Sequence, residues 1–319
     1  MSTTSSFDSV PAADQPIDAV SLVWQPHLDV AERGTYAPRQ LAWRRFRRNR
    51  LAMAGVVVLA IFALMAIFAP LIAPYDPVKP DLKAFGKPPS FAHLLGTDSS
   101  GRDVLSRLMY GARVSLSIGL VAVSIYLTIG TILGSLAGYR RGLTDAVIGR
   151  ATDTVMSFPS LIIILAIVPI VGRSIFNIMV VIGLLNWPAV CRLVRGEFLS
   201  LREREYTLAA RGIGATDRRI IVRHILPNVT GPLVVLASFG MADAIIAEAG
   251  LSLLGLGIQP PSPSWGVDLS AAIDVGILAN KPWLWIAPGA AIAISVLSIN
   301  FIGDGLRDAL DPRGATLRR

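Results

Sequence analysis

Lysine is nearly missing from this chain of 319 residues: Lys79, Lys83, Lys87 and Lys281 are the whole complement, and the other basic residues are arginines. Cysteine is scarcer still. Cys191 stands alone, which excludes an intrachain disulfide or a cysteine-based metal site. The three histidines, His27, His93 and His224, all lie outside the long apolar runs, so no histidine-based catalytic or metal constellation forms within those runs. No GxxxxGK[ST] loop is present. The only Gly-Lys pair, Gly86-Lys87, is followed by Pro88, so nucleotide phosphates cannot be held by that device. Catalytic and metal-ligating residues are therefore none, and an intramembrane enzyme is disfavoured because Asp243, the lone acid of its apolar run, has no clear partner acid.

Apolar residues are what the chain does have: 53% of the total, with a mean hydropathy of +0.57. They come in long blocks rather than short periodic stretches. A helix rising 1.5 Å per residue needs about 20 apolar residues to cross a bilayer. Runs of about that order occupy 51–74, 114–138, about 154–172, about 175–191, the stretch from Pro227 to about 247, and 284–303. The fold class expected is an all-α membrane protein with six transmembrane helices. Its organisation is a disordered polar tail (1–40), a basic juxtamembrane segment (41–50), span one (51–74), a loop (75–113) and a transmembrane domain of spans two to six (114–303). That domain contains a charged loop (192–227), and a tail (304–319) follows. The first apolar run is too long, and starts too late, for a signal peptide.

Orientation follows from the basic residues. With the N-terminus in the cytoplasm, 22 of the 30 Lys and Arg fall inside and eight outside. This predicts an N-in, C-in topology with the loop at 192–227 in the cytoplasm. It also accounts for a pI near 10.1 without nucleic acid as a partner.

The charged loop reads as two short helices around a turn. Residues 203–211 carry helix formers, and Gly212 and Gly214 allow the chain to turn. Thr216 is placed to cap a second helix, with Asp217 in its first turn. Ile220, Ile221 and Ile225 recur at helical spacing, and Pro227 suits the start of span five. Taken alone, the segment also fits a helix lying on lipid headgroups with its arginines snorkelling.

The stretch "LAARGIG" (208–214), nine further residues and then "HILP" (224–227) resemble the cytoplasmic loop of permease subunits in ABC importers. That family's pattern is Glu-Ala-Ala, three residues, Gly, about nine residues, then Ile-x-Leu-Pro. Ala209, Ala210, Gly214, Leu226 and Pro227 match it, whereas Leu208 stands in the place of the glutamate and His224 in that of the isoleucine. Three more stretches, "HLLGTDSSGRDVLSRLMYGARVSL" (93–116), "EAGLSLLGLGIQPPSPSWG" (248–266) and "GDGLRDALDPR" (303–313), together with "FRRNRLAMAG" (46–55), are similar to the dipeptide, oligopeptide and nickel branch. The match is to the shorter of the two paired permeases.

The resemblance implies a type I ABC importer permease fold in the bacterial inner membrane, with the 192–227 loop forming coupling helices. It implies four kinds of contact: a homologous second permease, two ATP-binding cassette subunits, an extracytoplasmic substrate-binding protein and membrane lipid. ATP and Mg would sit on the ATPase subunits, and this chain would bind no cofactor. Dipeptides or oligopeptides are the implied cargo, with nickel, glutathione or another small solute as the alternative. A stand-alone secondary transporter is the remote alternative.

Other residues carry expectations of their own. Asp243 lies 16 residues after Pro227, about 24 Å along a helix. Acids at membrane depth face water or a partner, so it is a candidate for the translocation pathway or for a structural bond. Glu248 is expected at the outer surface, and Trp265, Trp283 and Trp285 in an interfacial aromatic belt. Gly130, Gly134 and Gly138 share one helix face and suit close packing, within the subunit or against the partner permease. The charges of the 75–113 loop suit either an internal ion-pair network or contact with the binding protein.

Overall fold

Asn49 begins the first long helix by accepting a hydrogen bond from the Ala52 N–H at 3.1 Å through its side chain. The computed structural model describes residues 38–310. Most of the tail expected over 1–40, and the end of that expected over 304–319, lie outside the described residues. The basic helix α1 (Pro38–Arg48) precedes α2 (Arg50–Ile72), whose outer face shows Val57, Ile61, Leu64, Phe68 and Leu71 at helical spacing. Such an exposed apolar stripe is what a lipid-facing helix presents.

Helix α3 (Val104–Arg140) starts ten residues before the expected second span. Asp103 caps it through Ser106 N at 2.8 Å, and its charged first turns are stabilised by partners distant in sequence. The third expected span, 154–172, is not one helix. It is shared between α4 (Gly142–Met156) and α5 (Ser160–Val171), which meet at 82°. Pro159 sits in the break, where its ring and missing N–H would disrupt a continuous ladder. Helix α6 (Ile175–Leu201) is capped by Ser174 and runs well beyond the expected end near residue 191.

A short helix, α7 (Glu205–Gly212), follows and leads through a turn to α8 (Asp217–Arg219). Thr216 precedes α8 but makes no side-chain capping bond. A π-helical stretch, Ile220–Ile225, joins α8 to α9 (Leu226–Leu253), so the ladder runs on from Asp217 to Leu253. Pro227 does not break it. The widened turn lets Leu226 N bond Ile221 O, and opens the space where a proline ring would otherwise meet a carbonyl. Two short helices, α10 (Trp265–Ser270) and α11 (Val275–Asn280), lead to α12 (Trp283–Leu310). Among the described residues, five helices are long and apolar enough to cross a membrane, or six if the bent α4–α5 pair counts as one span.

The glycine face of α3 is spent within the chain. A Cβ at Gly130, Gly134 or Gly138 would come within 2.4, 2.6 and 2.6 Å of Val190, Cys191 and Phe198 on α6. Small residues here allow two helix backbones to touch. At one end of the bundle, which we call the arm end, Ala52 near the start of α2 packs against Gly305 near the end of α12. The ends of α3 and α6 and the start of α8 meet there too, around Tyr139.

The far end is closed by the segment between α2 and α3 folded over α10. Arg107 is its anchor. Its Nε donates to Asp268 Oδ1 at 2.8 Å, and its Nη1 to the carbonyls of Pro77 (2.9 Å) and Pro261 (3.3 Å). His93 Nδ1 lies 3.0 Å from Asp103 Oδ1, and Arg102 Nε donates to Asp98 Oδ2 at 2.7 Å. His93, Asp98, Arg102, Asp103 and Arg107 are thus engaged in internal bonds, while among the described residues no such side-chain partner is seen for Lys79, Lys83 and Lys87.

Two expectations are corrected at this end. Glu248 is not at the surface: its carboxyl is fully buried and lies within hydrogen-bonding distance of three serine hydroxyls, Ser264 (2.9 Å), Ser252 (3.0 Å) and Ser115 (3.4 Å). Trp265 is no belt residue either. It is fully buried, with its indole N–H on Leu108 O at 3.0 Å and its backbone N–H on Ser115 Oγ at 3.2 Å.

Candidate functional site

The residues singled out in the 192–227 loop form an arm projecting from the arm end. Thr207, buried on α7, donates to Leu201 O at 2.9 Å and ties α7 back to the end of α6. Helix α7 closes with a Schellman motif: Ala215 N bonds Ala210 O at 3.0 Å, and Gly214 N bonds Arg211 O at 3.0 Å. Gly214 has φ +82°, a left-handed conformation that glycine adopts without a Cβ penalty. Tyr139 then fixes the turn from below. Its hydroxyl meets Asp217 Oδ1 at 2.6 Å and receives a long bond from Arg211 Nη2 at 3.4 Å, while Arg202 donates to its backbone carbonyl at 2.6 Å.

The six named loop residues do not share one face. Ala210 is buried against Ile220, Ile225 and Val229, and Leu226 packs on the same cluster. Ala209, Gly214 and Pro227 are exposed. Leu208 is 46% exposed and Ile213 87%, with Tyr206 and Val222 also open. The arm thus has a packed inner side and an outer side on which Leu208 and Ile213 lie among exposed charges such as Glu205 and Arg211, and it is tied by hydrogen bonds at both ends.

Asp243 lies elsewhere, ten residues and thus about 15 Å short of the end of α9. It is exposed and borders a half-open cavity of about 300 Å³ lined by α3, α5, α6 and α9. Tyr126 and Asn186 line the same cavity, as does Ser160 at the start of α5. None of those three residues was singled out from the sequence, although a tyrosine midway along span two, far from either interface, was a usable signal. Gly240, one turn before Asp243, admits the tyrosine: a Cβ there would lie 1.5 Å from the Tyr126 hydroxyl. Among the described residues, no group of three or more His, Cys, Asp or Glu is placed to hold a metal ion.

The chain matches two family models. Residues 130–315 match the binding-protein-dependent transport system inner membrane component, and residues 37–89 match the N-terminal transmembrane domain of oligopeptide transport permease C. A protein named as a peptide permease in Brucella suis biovar 1 is 44% identical over 276 residues, 86% of this chain and 91% of that protein. A dipeptide transport system permease protein of Alkalihalophilus pseudofirmus is 43% identical over 279 residues, covering 87% and 90%. A glutathione transport system permease protein of Pectobacterium atrosepticum is 40% identical over 285 residues, covering 89% and 94%. With its stack of apolar helices and these matches along most of its length, the chain is a multi-pass inner-membrane protein and belongs to the family of inner-membrane permease components of binding-protein-dependent, peptide-type ABC importers.

Proposed function

We propose that this permease forms half of a translocation pathway for dipeptides or oligopeptides, paired with a homologous second permease and driven by two separate ATPase subunits. The arm end faces the cytoplasm, the side that the 22-to-8 partition of Lys and Arg favours, with both ends of the described segment on that side. The far end receives the substrate-binding protein. The observation that carries the reading is the arm: Leu208 on α7 and Ile213 just after it sit exposed, while Thr207 ties α7 to the end of α6 and Asp217 ties the start of α8 to Tyr139 near the end of α3. A push on that outer face is passed to two spans at once, so closure of the ATPases can rock the bundle and switch access. Asp243 lies on the pathway.

The test is reconstitution of this chain in proteoliposomes with its companion permease, ATPases and binding protein. ATP inside, with the binding protein outside, is expected to drive uptake of a radiolabelled dipeptide. Uptake driven by a proton or sodium gradient in the absence of ATP would overturn the reading. Because one relative is named for glutathione and others for peptides, the substrate panel includes both.

A further inference from the structure

We propose that the cavity beside Asp243 is the binding site for a protonated amine of the transported solute, with Tyr126 and Asn186 completing the donor-accepting ring. This deepens, and rests on, the import reading above.

Three observations meet here. Asp243 makes no hydrogen bond or ion pair among the described residues, although it sits within a membrane-crossing helix. A carboxyl group at that depth is costly unless water or a cation meets it. The Tyr126 side chain is 5% exposed, and its buried hydroxyl also has no partner among the described residues. A buried hydroxyl is costly to leave without a partner, so a purely structural tyrosine should have found one. The close fit of that hydroxyl over Gly240 points the same way: α9 gives up a side chain to seat the group one turn from Asp243. Finally, Asn186 donates its amide N–H to Ile182 O at 2.7 Å, which leaves its amide oxygen as an acceptor.

The lining therefore offers a carboxyl, a hydroxyl and an amide oxygen, from α9, α3 and α6, with no Lys, Arg or His among the lining residues. An ammonium group has three donors and no acceptor, and it matches three oxygens. A carboxylate or phosphate would meet like charge from Asp243. The cavity accordingly reads the amino end of a peptide rather than its carboxyl end.

The test uses the complete reconstituted importer with three radiolabelled probes that each carry one free amine: dialanine, tetraalanine and glutathione. For the probe that the wild type imports fastest, Asp243→Asn is expected to lower uptake roughly tenfold or more, the scale of losing one side of a desolvated charge pair. Tyr126→Phe should lower it roughly three- to tenfold, as loss of one hydrogen bond does. Asp243→Glu should restore at least about a third of wild-type uptake, a rescue that a merely structural role would not give. All variants are compared at equal membrane abundance and equal capture of the ATPases. Wild-type import with Asp243→Asn within about twofold of it would overturn this proposal alone. No ATP-driven import of any probe by the wild type would bring down the import reading, and the amine site with it.

Discussion

The hydroxyl of Ser264 donates to Glu248 Oε1 at 2.9 Å and accepts from Val267 N at 3.0 Å, so one group joins a buried acid on α9 to the cap of α10. Ser115 does the same from α3, lying 3.4 Å from the acid and accepting the Trp265 N–H. The carboxyl thus orients two hydroxyls that together satisfy backbone donors at the start of α10.

Ser264→Ala removes both the cap and a partner of a buried carboxyl. A loss of about 2 kcal/mol is expected, and Glu248→Ala should cost more because three hydroxyls lose their acceptor. Thermal unfolding of the purified complex in detergent measures both. Equal midpoints for wild type and Glu248→Ala would refute this account of the far end.

Arg107→Ala leaves Asp268 buried without its cation, an event worth about 3–5 kcal/mol. Arg107→Met combined with Asp268→Leu removes both charges while keeping bulk, and should recover most of that loss. Unfolding midpoints, together with limited proteolysis of the segment between α2 and α3, report the outcome. A double variant as unstable as the single one would argue that the carbonyls of Pro77 and Pro261, not Asp268, are what Arg107 serves.

Gly214→Ala forces an L-residue into the left-handed region, at about 1–2 kcal/mol. Gly214→Pro cannot adopt φ +82° at all and also loses the N–H that bonds Arg211 O. Partial loss of uptake is expected for alanine and complete loss for proline, with normal membrane insertion in both. Wild-type uptake by the proline variant would remove the arm from the mechanism.

Ile213→Asp places a charge on the most exposed apolar residue of the arm without touching its inner side. Capture of the ATPase subunits by affinity pull-down should fall at least about tenfold, the scale of an interface anchor. Membrane abundance should not change. Undiminished capture would show that the ATPases grip some other surface.

Much of this architecture could be read from the sequence because lipid imposes a length rule that composition reveals directly. Long apolar runs and the arm's glycines announce themselves within a few residues of sequence. What stayed hidden depends on partners far apart in the chain. Glu248 looked like a surface acid because its serine at 115 lies 133 residues away, and Arg107 looked like loop because Asp268 is 161 residues on. The break between α4 and α5 was different: Pro159 was in plain view, but hydropathy averages over a window and passes across a corner without registering it. Thr216 shows the reverse error, a residue type that suits a cap and makes no capping bond here.

That corner has a consequence for solvent. Helix α5 has 12 residues, about 18 Å, too little to cross a hydrocarbon core of about 30 Å unaided. It opens on Pro159 without any side-chain cap, so its leading amide protons look for oxygen. Bare amides at membrane depth are tolerated where protein buries them or where they line a water-filled cavity. Ser160 and Leu161 border the same hollow as Asp243, so on the import reading proposed above that hollow would gather water, and a solute passing it would trade one wet surface for another rather than dissolve in oil.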